Sequence, residues 1–142
     1  MSSPQIRVVA LAIICHPRTG GLLVFESRDD SRGLTYHRPL GGGVEFGETA
    51  AEAVVRELRE EIGVPIEPIR MLGATESIFE VRHALRHEVA LLIECRFADE
   101  RDYDRELFID IEGHGEHGFW REAGSQTPLF PEALPEILKG LA

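Results

Sequence analysis

Glu57, Glu60 and Glu61 fall within five consecutive positions, and the glycine-rich run "GGGVEFGE" (residues 41–48) leads toward them. On a helix, residues three and four apart are neighbours, so Glu57 would lie beside both of the others. At about 100° per residue the three carboxylates share an arc of roughly 100°. Like charges at these spacings cost an isolated helix roughly 0.2–0.5 kcal/mol per pair. Arg56 and Arg59 are interleaved, and Glu52–Arg56 and Arg56–Glu60 are favourable i,i+4 pairs. A charged surface helix is therefore one reading of these residues. The other is a site for a hard divalent cation, since Mg²⁺ and Mn²⁺ take carboxylates, water and substrate phosphate as oxygen ligands. Glycines ahead of the helix permit tight turns and close backbone approach to such a site.

The helix that must carry these residues has clear ends. Thr49 and Glu52 form a T-x-x-E capping box, and Gly63 followed by Pro65 stops the helix. Val54, Leu58 and Ile62, with Ala51 and Val55, predict its buried stripe. Glu61 then stands at the shoulder of the core and Glu60 furthest out. Around the helix, residues 6–16 are rich in β-branched residues and read as a central strand ending at Pro17, with residues 17–21 a turn and 22–27 its hairpin partner. Residues 28–39 read as a polar loop leading into a short extended piece. Residues 69–81 and 87–97 predict two longer strands joined through "RHALR". Residues 106–112 and 118–122 are shorter strand candidates, and 131–142 a terminal helix opened by Pro131. The fold class expected is a layered α/β or α+β domain, a single one over residues 1–142.

Composition narrows the partners. The net charge is −10, from 25 acidic and 15 basic residues. This argues against broad binding to DNA, RNA or anionic lipid, but not against a phosphate-bearing small molecule held through a cation. The apolar run 8–15 is too short to span a bilayer, and its flanks lack the basic start and small-residue cleavage site of a secretory signal. A cytoplasmic location is expected. Cys15 and Cys95 both lie in apolar runs and are expected to be reduced core thiols.

Residues 42–64 resemble the Nudix box, G-x5-E-x7-R-E-U-x-E-E-x-G-U with U aliphatic. The matching positions are Gly42, Glu48, Arg56, Glu57, Leu58, Glu60, Glu61, Gly63 and Val64. One departure lies just before the box, where Leu40 precedes the glycines and Pro39 stands one place earlier than in many members. The order of strands around the box is also similar to a Nudix domain, a mixed-sheet sandwich with the box helix on one side and a C-terminal helix on the other.

The resemblance implies a hydrolase that uses Mg²⁺ or Mn²⁺ and a water to cleave a nucleoside diphosphate linked to another group X. It implies that Glu57, Glu60 and Glu61 ligate metal, Glu57 and Glu61 foremost, with a backbone carbonyl at Gly41 or Gly42. Arg56 would orient the box glutamates and Glu48 would brace the loop. A further glutamate outside the box often acts as ligand or base, and "EGHGEHGFW" (residues 112–120) offers Glu116 first and Glu112 second. Homodimers are common in the family. ADP-ribose, another nucleotide sugar, or a nucleoside triphosphate, oxidised or not, all fit the class. The rival from another class is a non-catalytic Nudix sensor or regulator; the full set of glutamates argues against it, and no added DNA-binding segment of the kind a regulator uses is expected. An acidic Ca²⁺-binding protein is a third reading, and the EF-hand spacing is lacking.

Other residues invite roles beside bland alternatives. Arg28, Arg32 and Arg38 precede the box and could bind substrate phosphate through their planar forks. Tyr36, Phe79 and Trp120 could stack on a base, and Trp120 fits a core position equally. His83 and His87 have ligand spacing only on a helix and read as surface residues of a hairpin. His114 and His117 flank Glu116 in a glycine-rich loop and read as exposed.

Overall fold

The computed structural model describes residues 4–141. Eight strands and two α-helices form two four-stranded sheets. The first sheet contains β1 (Ile6–Ile13), β4 (Gly41–Gly43), β5 (Ile66–Val81) and β6 (Ala84–Phe97), in the order β4-β1-β6-β5. It is mixed, since β1 runs parallel to β6 and antiparallel to β4. The second contains β2 (Leu22–Asp29), β3 (Leu34–Pro39), β7 (Leu107–Phe108) and β8 (Gly118–Arg121), in the order β3-β2-β8-β7, all antiparallel.

From Val9 onward β1 is buried on both faces, as its continuous apolar run requires. Because strand side chains alternate, Ala10, Ala12 and Ile14 pack with Ala53, Val54, Leu58 and Ile62 of α1 (Ala50–Ile62). Val9, Leu11 and Ile13 face the opposite cluster, which includes Leu134 of α2 (Leu134–Lys139) with Ile137 and Leu138 against it. The central sheet thus has a helix on each side. No described helix is long and apolar enough to cross a membrane.

α1 begins and ends where its sequence dictates. Glu52 N–H donates to the Thr49 hydroxyl and Thr49 N–H to the Glu52 carboxylate, completing the capping box. Gly63 takes the left-handed conformation, φ 69°, and its N–H closes on the carbonyls of Leu58 and Arg59. Ala53, rather than the expected Ala51, joins the fully buried stripe.

Several expectations are corrected. Residues 28–39 hold less loop than expected: β2 continues to Asp29 and β3 begins at Leu34. The joint between β5 and β6 shrinks to Arg82 and His83, both at positive φ (51° and 65°), a two-residue hairpin turn whose twist suits the paired strands. The strand expected over 106–112 survives only as β7. Beyond it Asp110 turns the backbone aside, accepting N–H bonds from Glu112 and His114 that a ladder would otherwise take. The terminal helix starts at Leu134 rather than Pro131, and its expected last residue lies outside the described residues. Cys95 is buried, but Cys15 is exposed, because β1 has ended and the chain is already turning toward Pro17.

Candidate active site

The glycine run is itself a strand. β4 lies antiparallel to β1, with Gly41 opposite Leu11 and Gly42 opposite Ala10. Gly41 has φ 150°, and a Cβ there would overlap the Ala10 carbonyl. The bare backbone lets β4 pair with β1 at the sheet edge while lying close against α1. There the Gly41 N–H donates to the Glu61 carboxylate at 3.2 Å. A Cβ on Gly42 would stand 2.6 Å from the Glu57 carboxyl group, so the cradle that holds Glu57 exists only because residue 42 has no side chain.

The three helix glutamates grade outward as the wheel predicts. Glu61 is 9% exposed, whereas the side chains of Glu57 and Glu60 are 16% and 47% exposed. Burial pushes the Glu61 carboxyl up to about 9, nearby Glu57, Glu112 and Asp110 adding to the rise and the Gly41 N–H opposing it. A buried carboxylate facing other carboxylates is a set of oxygen donors suited to a hard divalent cation.

Arg56 is the one guanidinium woven into the cluster. Its Nε and Nη2 grip the two Glu48 oxygens at 2.7 and 2.9 Å, Nη1 donates to Glu57 and Glu60, and Nη2 also donates to the Gly43 carbonyl. That grip, with the Glu45 N–H, holds the Glu48 carboxyl down to about 2. Arg56 and Glu48 thereby tie the helix to the loop after β4.

A cavity of about 240 Å³ opens beside Gly41, Gly42 and Glu61. Glu116 lines it and accepts a hydrogen bond from the Ser27 hydroxyl at 3.2 Å. Glu112 lies with Asp110 and His114, their potential ligand atoms all within 4.8 Å of one another. Arg38 and Tyr36 also line the cavity, and both continue into a neighbouring cleft of about 470 Å³ that Phe79 and Phe130 help to form. Arg28 lines neither, its guanidinium being bonded to Asp30 and Thr35. Trp120 packs among His16, Phe97, Tyr103 and Phe108, and its Nε1 donates to the Arg105 carbonyl. His114 and His117 are both exposed, as expected, and His117 Nδ1 accepts the Asp110 N–H.

Asp110, Arg7 and Glu88 belong to this region and were not singled out from the sequence. For Asp110 the signal was present: "DIEGHG" is an Asx-turn pattern, hidden by the alternation that suggested a strand. Arg7 and Glu88 meet only through the parallel register of β1 and β6, which no local pattern encodes.

A two-sheet domain whose glycine strand presses on an acidic helix defines the class of protein. Residues 5–120 match the family model of the NUDIX domain, and the chain belongs to the Nudix hydrolase superfamily. A MutT NUDIX hydrolase from Burkholderia pseudomallei superposes with a TM-score of 0.68 at 24% identity, over 97% of this chain and 99% of that one. A UDP-X diphosphatase superposes at 0.63 with 14% identity, over 99% of this chain and 64% of the other. Two named relatives are closer in sequence over shorter stretches. The 8-oxo-dGDP phosphatase NUDT18 of Mus musculus is 37% identical over 68 residues, which is 48% of this chain and 20% of that protein. The dihydroneopterin triphosphate diphosphatase of Escherichia coli is 31% identical over 86 residues, 58% of this chain and 55% of the relative. The matched stretches thus span a fifth and about half of those two relatives.

Proposed function

We propose that this protein is a divalent-metal-dependent pyrophosphohydrolase acting on a nucleoside diphosphate linked to a further group, a nucleotide sugar or a nucleoside triphosphate. The observation that carries this reading is the gathering of the helix carboxylates at the side-chain-free glycine strand: Glu61 bonds the Gly41 N–H and lines the cavity with Gly41 and Gly42, and Glu57 packs against Gly42. Glu57, Glu60, Glu61 and the Gly42 carbonyl would hold Mg²⁺ or Mn²⁺. When bound, such an ion neutralises charge on the phosphoryl oxygens and acidifies water. Arg56 holds Glu57 and Glu60 together through its Nη1, and Glu48 keeps Arg56 in place. Glu116, across the cavity, is the proposed base that takes the proton of the attacking water. Arg38 and Tyr36 are proposed to contact the substrate where the cavity meets the larger cleft. The two named relatives act, by their names, on a diphosphate and a triphosphate, which supports the same class here.

The test is phosphate-coupled turnover of ADP-ribose, nucleotide sugars, dinucleoside polyphosphates, and normal and oxidised nucleoside triphosphates. Each is run with Mg²⁺, Mn²⁺ or EDTA, and beside Glu61→Gln. Cleavage of one class that needs metal and disappears in the variant is the expected result. Binding of metal and nucleotide with no cleavage of any member overturns the hydrolase reading in favour of a sensor.

A further inference from the structure

Glu88, on β6, is a buried carboxylate, its side chain 9% exposed, outside the Nudix box. It accepts a hydrogen bond from Arg38 Nη2 at 2.8 Å, and its other oxygen stands 4.0 Å from Arg7 Nη1. Arg38 arrives on β3 of the second sheet, and Arg7 on β1 of the first, directly opposite Glu88 in the parallel register. One carboxylate therefore gathers two guanidinium groups from two sheets. Arg7 lies over the glycine strand, where a Cβ on Gly43 would stand 3.3 Å from its Nη2. Both arginines line the same cavity as Gly42 and Glu61.

A buried carboxylate needs one partner to be neutralised. Two leave a net positive charge, and here it faces a cavity whose other wall is acidic. Each guanidinium has five N–H donors. Arg38 donates only to Glu88 and Arg7 makes no shorter contact than its ion pair, among the described residues. The remaining donors are available to an anion in the cavity. Arg38 also borders the larger cleft, so an anion held here has room behind it for the rest of its molecule.

Resting on the reading of this cavity as the phosphate site, we propose that Arg7 and Arg38 form a two-guanidinium clamp for a substrate phosphate, with Glu88 as the residue that positions them. With a divalent ion bound, the carboxylates of the acidic helix would hold one end of the phosphate chain, and the clamp would hold the other directly. Arg7 contributes through ground-state binding, so its loss moves KM more than kcat.

The experiment measures two quantities on Arg7→Ala, Arg7→Lys, Glu88→Gln and the Arg7→Ala/Glu88→Gln double variant. One is the Kd of inorganic pyrophosphate in the presence of Mn²⁺ by calorimetry. The other is KM and kcat on the best substrate of the panel. Expected is a rise of about tenfold in both Kd and KM for Arg7→Ala and Glu88→Gln, with kcat changed less than about threefold. Arg7→Lys falls between, and the double variant loses less than the product of the singles, as for groups acting through one another. Arg7 is exposed, so its variants fold even where Glu88→Gln does not. Unchanged Kd and KM in folded Arg7→Ala overturn the clamp, as does wild-type protein that fails to bind pyrophosphate. If no substrate turns over but pyrophosphate binding still weakens in the variants, the hydrolase reading fails and the clamp stands.

Discussion

The Glu57 carboxyl group occupies the space a side chain on Gly42 would fill, 2.6 Å from that missing Cβ. The clash would be with the far end of a flexible side chain, and Gly42 has ordinary backbone geometry. Gly42→Ala is therefore expected to fold with stability within about 1 kcal/mol of wild type, while Glu57 is driven out of its cradle. Mn²⁺ affinity and kcat should fall by about tenfold or more, the usual result of misplacing a ligand. Gly41→Ala makes the contrast. There the new Cβ meets the Ala10 backbone at φ 150°, and a loss of about 2–4 kcal/mol is expected. Thermal melts beside metal titrations separate the two; equal melting temperatures for both variants would refute the distinction.

Arg56 concentrates the loop, the helix and two glutamates on one fork. Arg56→Lys keeps the charge but cannot span both Glu48 oxygens and the Gly43 carbonyl at once. Turnover should fall at least about tenfold although every glutamate is intact. The same grip sets an acid limit. Glu48 lies near 2 in the folded chain against 4.5 ordinarily, so its contribution to stability is present above about pH 4.5 and is lost as pH falls toward 2. Melting temperature against pH should show a shallower acid limb in Glu48→Gln than in wild type. Parallel limbs would remove Glu48 from the account.

Much of this site was legible because it is local. The box helix follows from Thr49, Glu52, Gly63 and a four-residue apolar spacing, and the graded exposure of Glu61, Glu57 and Glu60 follows from the wheel. The hairpin of β5 and β6 was likewise visible, though the αL geometry of Arg82 and His83 was not, since neither residue type signals it. What stayed hidden depends on distant partners. Glu88 reads as one charge in an apolar strand until the β1–β6 register sets Arg7 opposite it. Asp110 looked like the polar half of a strand alternation, and only its bonds to the Glu112 and His114 amides show a turn. Cys15 continued an apolar run whose burial stops at Ile14, because the strand's end is fixed by the turn after it.

Glu61 links metal, protons and stability. Its folded value near 9 lies above the ordinary 4.5, so in the metal-free protein the folded state holds a proton that the unfolded state has released between those pH values. Metal-free stability should therefore fall as pH rises from about 5 to 9. A divalent ion must displace that proton, so its affinity should rise with pH over the same window, with about one proton released per ion bound. Calorimetry in two buffers of different ionisation enthalpy counts the proton. Glu61→Gln should abolish the release and raise the metal-free melting temperature at pH 8 by about 5 °C or more. A variant less stable than wild type at that pH would show that the ionised carboxylate is not the strained form.

Glu116 is the base proposed above and Glu112 the alternative, and their surroundings differ. Glu116 lines the cavity and is steadied by the Ser27 hydroxyl. Glu112 reaches Glu61 through its charge, while its own amide is bonded to Asp110. A base that moves the proton of the attacking water is worth about 10²–10⁴ in rate. Glu116→Gln should accordingly lower kcat by at least about 10², leaving Mn²⁺ affinity within about twofold, because it removes proton transfer and no ligand. Glu112→Gln should lower kcat by less than about tenfold. It should also bring the Glu61 proton release to lower pH, since one of the charges that raise Glu61 is gone. Ser27→Ala provides the finer test. It releases the Glu116 carboxylate without altering its charge, so kcat should drop by a modest factor while its pH profile keeps its shape. A profile that loses its acid limb in Glu112→Gln, with Glu116→Gln unaffected, would transfer the base to Glu112.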